Sequence, residues 1–216
     1  MTDHAERPRP RVYLITPPAL EPAGFVPKLE QAFAGGDIAC VQLRLKDAAD
    51  DAVLAAARAL MPVAHAHGAA FLINDRADLA QQAAADGVHL GQQDGDIAEA
   101  RRLLGHDRDI GATCHDSLDL AFEAGNAGAD YVAFGAFYPT ATKEPPTQAD
   151  PAILSRWQEI AELPSVAIGG ITAENCGELV RAGADFIAVC GYVWDHPEGP
   201  DAAIRGLNAA IDAAFN

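Results

Sequence analysis

The chain has 216 residues, half of them apolar, and a formal net charge of −16. This length fits one domain with a complete core, and the excess negative charge argues against nucleic acid and anionic membranes as partners. No apolar run is long enough to cross a bilayer, and the polar start lacks the apolar segment of a signal peptide. We therefore predict a cytoplasmic protein in which residues 1–10 form a flexible lead-in and residues 11–216 form a single domain.

Eight short apolar runs predict buried β-strands, and amphipathic segments between them predict helices. The strands are predicted at Val12–Thr16, Ala39–Leu45, Ala70–Ile73, Gly87–Leu90, Asp109–Ala112, Asp130–Phe134, Ser165–Ile168 and Asp185–Val189. Helices are predicted at Asp51–Ala66, Asp96–Leu104, Ser117–Ala127, Pro151–Ala161 and Glu174–Ala182. Pro62 should kink or split the first of these helices, because proline lacks an N–H donor.

Strands that alternate with helices pair in parallel through crossover connections. Eight such units predict an α/β fold, a closed single-domain (β/α)8 TIM barrel. An open, doubly wound sheet is the alternative architecture. Its usual signature is a glycine-rich turn after the first strand, whereas Thr16-Pro17-Pro18 stands there in this chain.

Polar and aliphatic residues alternate along the second predicted strand, Val41-Gln42-Leu43-Arg44-Leu45-Lys46. On a strand, Gln42, Arg44 and Lys46 share one face. A parallel barrel strand buries its aliphatic face against helices, so the polar face should point into the barrel and its mouth. An edge strand with one solvated face is the alternative. Either these cations and Lys143 attract an anion, or each is an ordinary surface charge.

Two carboxylates follow consecutive strands. Asn74 and Asp75 directly follow the apolar run Phe71–Ile73, and Asp94 comes 19 residues after Asp75. Neighbouring strands lie about 5 Å apart, and two close carboxylates repel each other unless a cation is nearby. Mg²⁺ prefers one or two carboxylates together with water and phosphate oxygens. We therefore predict a magnesium site for a polyphosphate. The alternative for Asp75 is a turn or a helix cap, and for Asp94 it is a loop residue or a helix cap. His89 is predicted to be a hydrogen-bonded structural residue, with a metal ligand as the alternative.

The last three strands end in segments that suit phosphate. Tyr138–Lys143 contains two threonine hydroxyls and an ammonium group, although an ordinary surface loop is the alternative for it. Gly169-Gly170 ends the seventh strand and Cys190-Gly191 ends the eighth. In barrels these two loops commonly bind phosphate through backbone N–H groups, which glycine leaves accessible.

Together these segments resemble the thiamin phosphate synthase family of (β/α)8 enzymes. The resemblance covers nearly the whole chain, and its motifs are Gln42–Lys46, Ile73–Ala80, Asp86–Asp94, Tyr138–Lys143 and Val166–Ile171. It implies a transferase that joins hydroxymethylpyrimidine pyrophosphate to thiazole phosphate by a dissociative substitution assisted by Mg²⁺. Its partners would be these small molecules, and a homo-oligomer is left open because barrels of this size often pair.

The resemblance also implies a role for each residue of the site. Asp75 and Asp94 would hold Mg²⁺ on the pyrophosphate, and Gln42 would contact the pyrimidine. The residues that would bind the pyrophosphate are Arg44, Lys46, Asn74, Thr113 and Lys143, and the three cations among them would be catalytic. The residues that would hold the thiazole phosphate are Thr140, Thr142, Gly170, Cys190 and Gly191.

Three positions depart from the family pattern. Thr113 and Gly191 each replace a usual serine, and Ala136 replaces a usual proline. These changes leave two alternatives open. One is a thiazole tautomerase-like paralogue, although that group of relatives carries a catalytic histidine at the position of Ala136. The other is a non-catalytic sensor of thiazole phosphate. His115 could act as an acid or a base.

Overall fold

Eight parallel strands close into a barrel in the order of the chain. In the computed structural model, which describes residues 7–140 and 147–216, the strands are β1 (Arg11–Ile15), β2 (Ile38–Leu43), β3 (Ala70–Asn74), β4 (Gly87–Leu90), β5 (Asp109–His115), β6 (Tyr131–Phe134), β7 (Ser165–Ile168) and β8 (Phe186–Val189). The predicted closed (β/α)8 barrel is confirmed, and the open sheet is excluded because β1 pairs with β8. The boundary between a lead-in and a domain at residue 10 stays a prediction.

Nine helices surround the barrel within the described residues. They are α1 (Pro22–Phe33), α2 (Asp50–Ala66), α3 (Ala77–Ala83), α4 (Ile97–Leu104), α5 (Leu118–Ala127), α6 (Ala152–Ile160), α7 (Cys176–Ala182), α8 (Gly191–Trp194) and α9 (Pro200–Phe215). The five predicted helices correspond to α2, α4, α5, α6 and α7, each within two residues at either end. No helix in the described ranges is long and apolar enough to span a bilayer.

Helix α2 runs through Pro62 without a break, so the helix is not split there, and the predicted kink stays a prediction. Proline removes one backbone donor from the helix interior, which weakens the helix locally. Leu60, Val63 and Ala64 around it are all buried in the main hydrophobic core. Packing of this face on the barrel therefore holds the helix together across the proline.

Alternate residues of each strand face the inside of the barrel, because successive side chains on a strand point in opposite directions. The outward set joins the helices in one large core that includes Val12, Leu14, Phe71 and Ile187. The inward set forms a separate, smaller cluster of Tyr13, Ile15, Cys40, Leu72, Tyr131, Ala133, Val166 and Ala188. The barrel interior is thus filled by side chains and carries hydroxyl groups among its apolar residues.

An aspartate precedes each even-numbered strand at the amino end of the barrel. Three of these carboxylates accept a backbone N–H from one of the first two residues of the preceding strand: Asp86 from Phe71 at 2.6 Å, Asp130 from Ile110 at 2.7 Å and Asp185 from Ser165 at 2.8 Å. The fourth, Asp37, accepts two hydrogen bonds from the Arg11 guanidinium at 2.6 and 2.8 Å. Each carboxylate therefore ties two consecutive strands together where they begin.

Strand β2 ends at Leu43, earlier than predicted. The prediction that Arg44 and Lys46 lie on this strand is therefore wrong, and both residues lie in the turn that follows it. The reason lies in the neighbouring strand, because Pro17 and Pro18 follow β1 and have no N–H to continue the ladder.

Candidate active site

The residues predicted for the site meet at the carboxyl end of the barrel. Because all eight strands are parallel, the ends of the strands and the turns after them lie on one face. The described residues at this face are Gln42, Arg44, Lys46, Asn74, Asp75, Asp94, Thr113, Thr140, Gly170, Cys190 and Gly191. Thr142 and Lys143 lie outside the described residues, and their roles stay predictions.

Asp75 is held in a left-handed backbone conformation directly after β3, with φ of 64°. Its N–H donates to the carbonyl of His89 on β4 at 2.8 Å, which fixes it to the neighbouring strand. Two other residues at or just past strand ends, Asp47 and His115, also have a positive φ, of 53° each. Such strain in a non-glycine residue is costly and clusters at functional sites. Three of the four described non-glycine residues with a positive φ therefore lie at this end of the barrel, and the fourth, Ala84, ends α3 at the amino end.

Asp94 lies exposed in the turn after β4, the strand next to β3. Its carboxylate lies over Gly91, at the position that a Cβ atom on that residue would occupy, so a side chain at residue 91 would displace it. The cap of α4 is Asp96, whose Oδ1 accepts the N–H of Glu99 at 2.8 Å. The alternative of a helix cap is therefore excluded for Asp94. It is excluded for Asp75 as well, because Arg76 occupies the cap position of α3.

Arg44 and Lys46 carry their charges at this face without an ion pair to any described residue. Their backbones are nevertheless anchored. The N–H of Arg44 donates to the Oγ1 of the fully buried Thr16 at 2.9 Å, and the N–H of Lys46 donates to the carbonyl of Pro18 at 2.9 Å. Arg44 is half-buried and Lys46 is exposed. The two cations are therefore held at fixed points of the loop and are open to an anion.

Arg76 provides the contrast within the same face. It is paired with Asp50 at 2.6 Å and with Asp78 at 2.7 Å, both through its guanidinium. The hydrogen bond to Asp78, followed by the one to Asp50, is the main cause that raises the pKa of Arg76 above its usual value. Since its donors are occupied by two helix-borne acids, Arg76 stabilises the ends of α2 and α3 and is not a candidate for substrate.

The loops after β6 and β7 are locked together. Gly170 has φ of 64°, and a Cβ atom there would lie 2.3 Å from the carbonyl oxygen of Pro139. Asn175 donates its side-chain amide to the Gly170 carbonyl at 3.0 Å, and the Tyr138 hydroxyl donates to the Asn175 carbonyl at 3.1 Å. No hydrogen bond between described residues uses the N–H of Gly170 or of Gly191. These two donors remain available at the ends of β7 and β8.

The barrel interior holds a second set of polar contacts below the mouth. Gln42 donates its amide to Oδ1 of Asn74 at 2.7 Å. His89 is buried, with Nε2 2.9 Å from Oγ1 of Thr113 and Nδ1 3.0 Å from the hydroxyl of Tyr131. The prediction of a hydrogen-bonded structural histidine is confirmed. Burial lowers the pKa of His89 to about 4, so its ring is neutral at physiological pH.

Sequence reasoning missed the two tyrosines of the interior. The hydroxyls of Tyr13 and Tyr131 lie 2.9 Å apart, and burial raises the pKa of both well above the usual value. Both groups therefore keep their protons and act as hydrogen-bond donors. Strand periodicity could have found them, because Tyr13 precedes the inward-facing Ile15 by two residues and Tyr131 precedes Ala133 by two.

The donor chemistry of the two acids suits a small hard cation. Asp75 and Asp94 offer carboxylate oxygens just past the ends of two adjacent strands, at one end of the barrel. Within the described ranges no group of three or more histidines, cysteines and acids is close enough to form a complete metal site. Mg²⁺ commonly binds one or two carboxylates and completes its shell with water and substrate phosphate oxygens. The residues present therefore fit magnesium that is shared with a phosphorylated substrate.

A (β/α)8 barrel with acids, open cations and available backbone donors at its carboxyl end is an enzyme of the TIM-barrel class. The sequence model of the family "Thiamine monophosphate synthase" matches residues 12–193. The chain therefore belongs to the thiamine monophosphate synthase family.

Individual relatives agree with this assignment. A thiamine-phosphate synthase of Rhodospirillum centenum is 60% identical over 201 residues, covering 93% of this chain and 97% of the relative. One from Hyphomonas neptunium is 50% identical over 219 residues and covers 99% of each chain. The solved structure of thiamine phosphate pyrophosphorylase from Pyrococcus furiosus superposes with a TM-score of 0.83 at 31% identity, covering 97% of this chain and 99% of that one. The predicted family and its synthase function are confirmed.

Proposed function

We propose that the site joins hydroxymethylpyrimidine pyrophosphate to thiazole phosphate, and releases thiamin phosphate and pyrophosphate. One observation carries most of the support. Arg44 and Lys46 stand without an ion pair to a described residue on the same barrel face as Asp75 and Asp94. Two acids that suit Mg²⁺ beside two open cations are the groups that a departing polyphosphate requires.

Asp75 and Asp94 would hold Mg²⁺ against the pyrophosphate. When bound, the ion would supply positive charge to the oxygens that become more negative as the ester bond breaks. Around the same group, Arg44 and Lys46 would donate charge-assisted hydrogen bonds, and the ammonium group of Lys143 would add a third positive charge. The amide of Asn74 and the hydroxyl of Thr113 would contribute neutral donors.

Gln42 would orient the pyrimidine. Its amide nitrogen already donates to Asn74, so its carbonyl oxygen is left to accept a hydrogen bond from the pyrimidine amino group. In the reaction, the bond between the methylene carbon and the pyrophosphate oxygen breaks, and its electron pair leaves on that oxygen. The aminopyrimidine ring delocalises the resulting positive charge. The chain therefore needs no nucleophile of its own.

The thiazole phosphate would be bound at the last strands. The available N–H groups of Gly170 and Gly191 would donate to its phosphate, with support from Thr140, Thr142 and the backbone of Cys190. Burial raises the pKa of Cys190 to about 11, so its side chain stays a neutral thiol beside that phosphate. Held in this way, the thiazole nitrogen would donate its lone pair to the methylene carbon and complete the substitution, by positioning and not by acid–base chemistry.

The test mixes the purified protein with both substrates and Mg²⁺ and measures thiamin phosphate and pyrophosphate. We expect Asp75→Asn and Asp94→Asn each to lower kcat/KM by roughly 100-fold or more, since charge on the leaving group is then poorly balanced. Asp116→Asn, which removes an exposed acid just past β5 at the same barrel end, is the matched control and should stay within twofold. Wild-type turnover in either of the first two variants would exclude the metal role of that residue.

Neither alternative function is favoured by a particular observation. Ala136 is half-buried and offers no ionisable group at the position where a tautomerase-like relative would place its histidine. A sensor would bind thiazole phosphate equally well without Mg²⁺ and release no pyrophosphate, so the same assay separates it from a synthase. The identity of the substrates, a homo-oligomeric state and a cytoplasmic location stay predictions.

A further inference from the structure

Four polar side chains form a continuous chain of hydrogen bonds through the barrel interior. The chain runs from Tyr13 to Tyr131 at 2.9 Å, from Tyr131 to Nδ1 of His89 at 3.0 Å, and from Nε2 of His89 to Thr113 at 2.9 Å. The first three side chains are at most 8% exposed, whereas Thr113 is partly exposed on the way to the mouth. The chain therefore has a closed end at Tyr13 and an open end at Thr113.

The closed end sets the direction in which the protons point. Among the described residues the Tyr13 hydroxyl has a hydrogen bond with Tyr131 and with no other group. A buried O–H needs an acceptor, whereas an unused lone pair on oxygen costs much less. Tyr13 therefore donates to Tyr131. If Tyr131 donated to Tyr13 instead, the Tyr13 proton would have no acceptor. The cost of such a buried, unsatisfied donor makes that state less populated by roughly tenfold or more.

Each later link follows from the first. Tyr131 accepts from Tyr13, so its own proton is donated to Nδ1 of His89. Nδ1 is then the unprotonated nitrogen of the neutral ring, and the proton of His89 is on Nε2. Nε2–H donates to Oγ1 of Thr113. The hydroxyl proton of Thr113 takes no part in the chain and can be donated to another group.

We propose that Tyr13, Tyr131 and His89 are positioning residues that present the hydroxyl of Thr113 as a hydrogen-bond donor to an anionic oxygen at the barrel mouth. The identity of that oxygen, on the pyrophosphate group, rests on the proposed function. The direction of the proton chain does not rest on it. A second contact keeps Thr113 in register, because the amide of Gln92 donates to its carbonyl at 2.6 Å. Thr113 thus reaches the substrate already oriented, without having to break a bond to His89.

The direction is tested on the ligand-free wild-type protein by ¹⁵N-labelled histidine NMR, which distinguishes the two neutral tautomers. The chain has seven histidines, so the His89 signal is assigned by its loss in His89→Asn, or by elimination from single substitutions of the others. We expect one tautomer, protonated on Nε2. Protonation on Nδ1 would overturn the proposal. This result is independent of any assay, so failure of the proposed function would leave it intact.

The positioning role is tested by a double-mutant cycle on pyrophosphate affinity and kcat/KM. We expect Tyr131→Phe to weaken both by roughly three- to tenfold, as for one lost hydrogen bond, and to release His89 into a mixture of tautomers. In a Thr113→Val background the same change should have almost no further effect, because the donor it orients is gone. Thr113→Ser keeps the donor and should retain the full sensitivity to Tyr131→Phe. Equal losses in the wild-type and Thr113→Val backgrounds would show that Tyr131 is merely structural, and would overturn the proposal.

Discussion

The two ends of the barrel differ in how many of their positive side chains are paired with acids. At the amino end, Arg11 pairs with Asp37, Arg101 with Asp130 and Arg9 with Asp212. At the carboxyl end, Arg44 and Lys46 have no ion pair to a described residue. The amino end uses these arginines to stabilise the fold, whereas the carboxyl end pairs Arg76 in the same way and also leaves Arg44 and Lys46 for a ligand. In a chain with net charge −16, two such cations on the barrel face that also carries Asp75 and Asp94 favour the binding of an anion there.

The same arginine-to-alanine substitution, made once at each end of the barrel, tests this comparison most strongly. We expect Arg44→Ala to lower kcat/KM by roughly 100-fold or more, because a donor to the leaving group is lost, with little change in Tm. Arg11→Ala should leave kcat/KM within twofold and lower stability by about 1 kcal/mol or less, since its pair with Asp37 is solvent-screened. Steady-state kinetics and thermal unfolding of both variants provide the measurement. If both variants lose activity equally, the division of roles between the ends is wrong.

The stabilising role of the amino end is sharpened by Asp130→Ala. This change leaves the N–H of Ile110 without its side-chain acceptor and the largely buried Arg101 without its carboxylate partner, although Arg101 keeps its hydrogen bonds to backbone carbonyls. We expect a loss of roughly 2–3 kcal/mol in the free energy of unfolding by urea. Asp107→Ala, at an exposed acid of the same end, should change it by no more than about 0.5 kcal/mol. Turnover measured well below Tm should be unaffected in both; a selective loss of turnover in Asp130→Ala would link this end to the chemistry.

The smallest effect concerns pH. The hydrogen bond from Arg11 holds the pKa of Asp37 below its usual value. A lowered pKa in the folded state means that the ionised carboxylate stabilises the fold above the unfolded pKa of about 3.9, and that this contribution is lost as the pH falls through the lower folded value. Asp37→Asn should therefore cost about 1 kcal/mol or less at pH 7. That difference in stability from wild type should shrink on acidification below about pH 4. Urea unfolding of both proteins between pH 7 and pH 3 measures it, and a difference that grows on acidification would contradict the prediction.

Local sequence predicts the strands well and their ends less well. The apolar runs at Gly87–Leu90 and Ser165–Ile168 correspond to β4 and β7 without any difference in bounds. The predicted β2 is too long because the end of this strand depends on two prolines after β1, which lie far away in the sequence. The predicted β5 is too short, since the strand extends to His115 by pairing with β6 across a shift in register. Both errors arise where a neighbouring strand decides how far the ladder continues.

The site shows the same limit. Asp75, Asp94 and Arg44 each lie within four residues of the end of a strand, so local order is enough to bring them to one face. The tyrosine chain is out of reach of that reasoning. Tyr13 and Tyr131 are separated by 118 residues and lie on β1 and β6, which are not neighbouring strands. Their contact exists only because the sheet closes, and no local pattern encodes which inward hydroxyls will meet.

The aspartates at the strand starts also bear on how the protein assembles. Their hydrogen bonds connect the eight strands in four consecutive pairs, and each bond joins residues only 15 to 26 positions apart. Such short loops close at a small entropic cost. During synthesis, each pair can therefore form as soon as its second strand leaves the ribosome, while β1 must wait for β8 before the ring is complete.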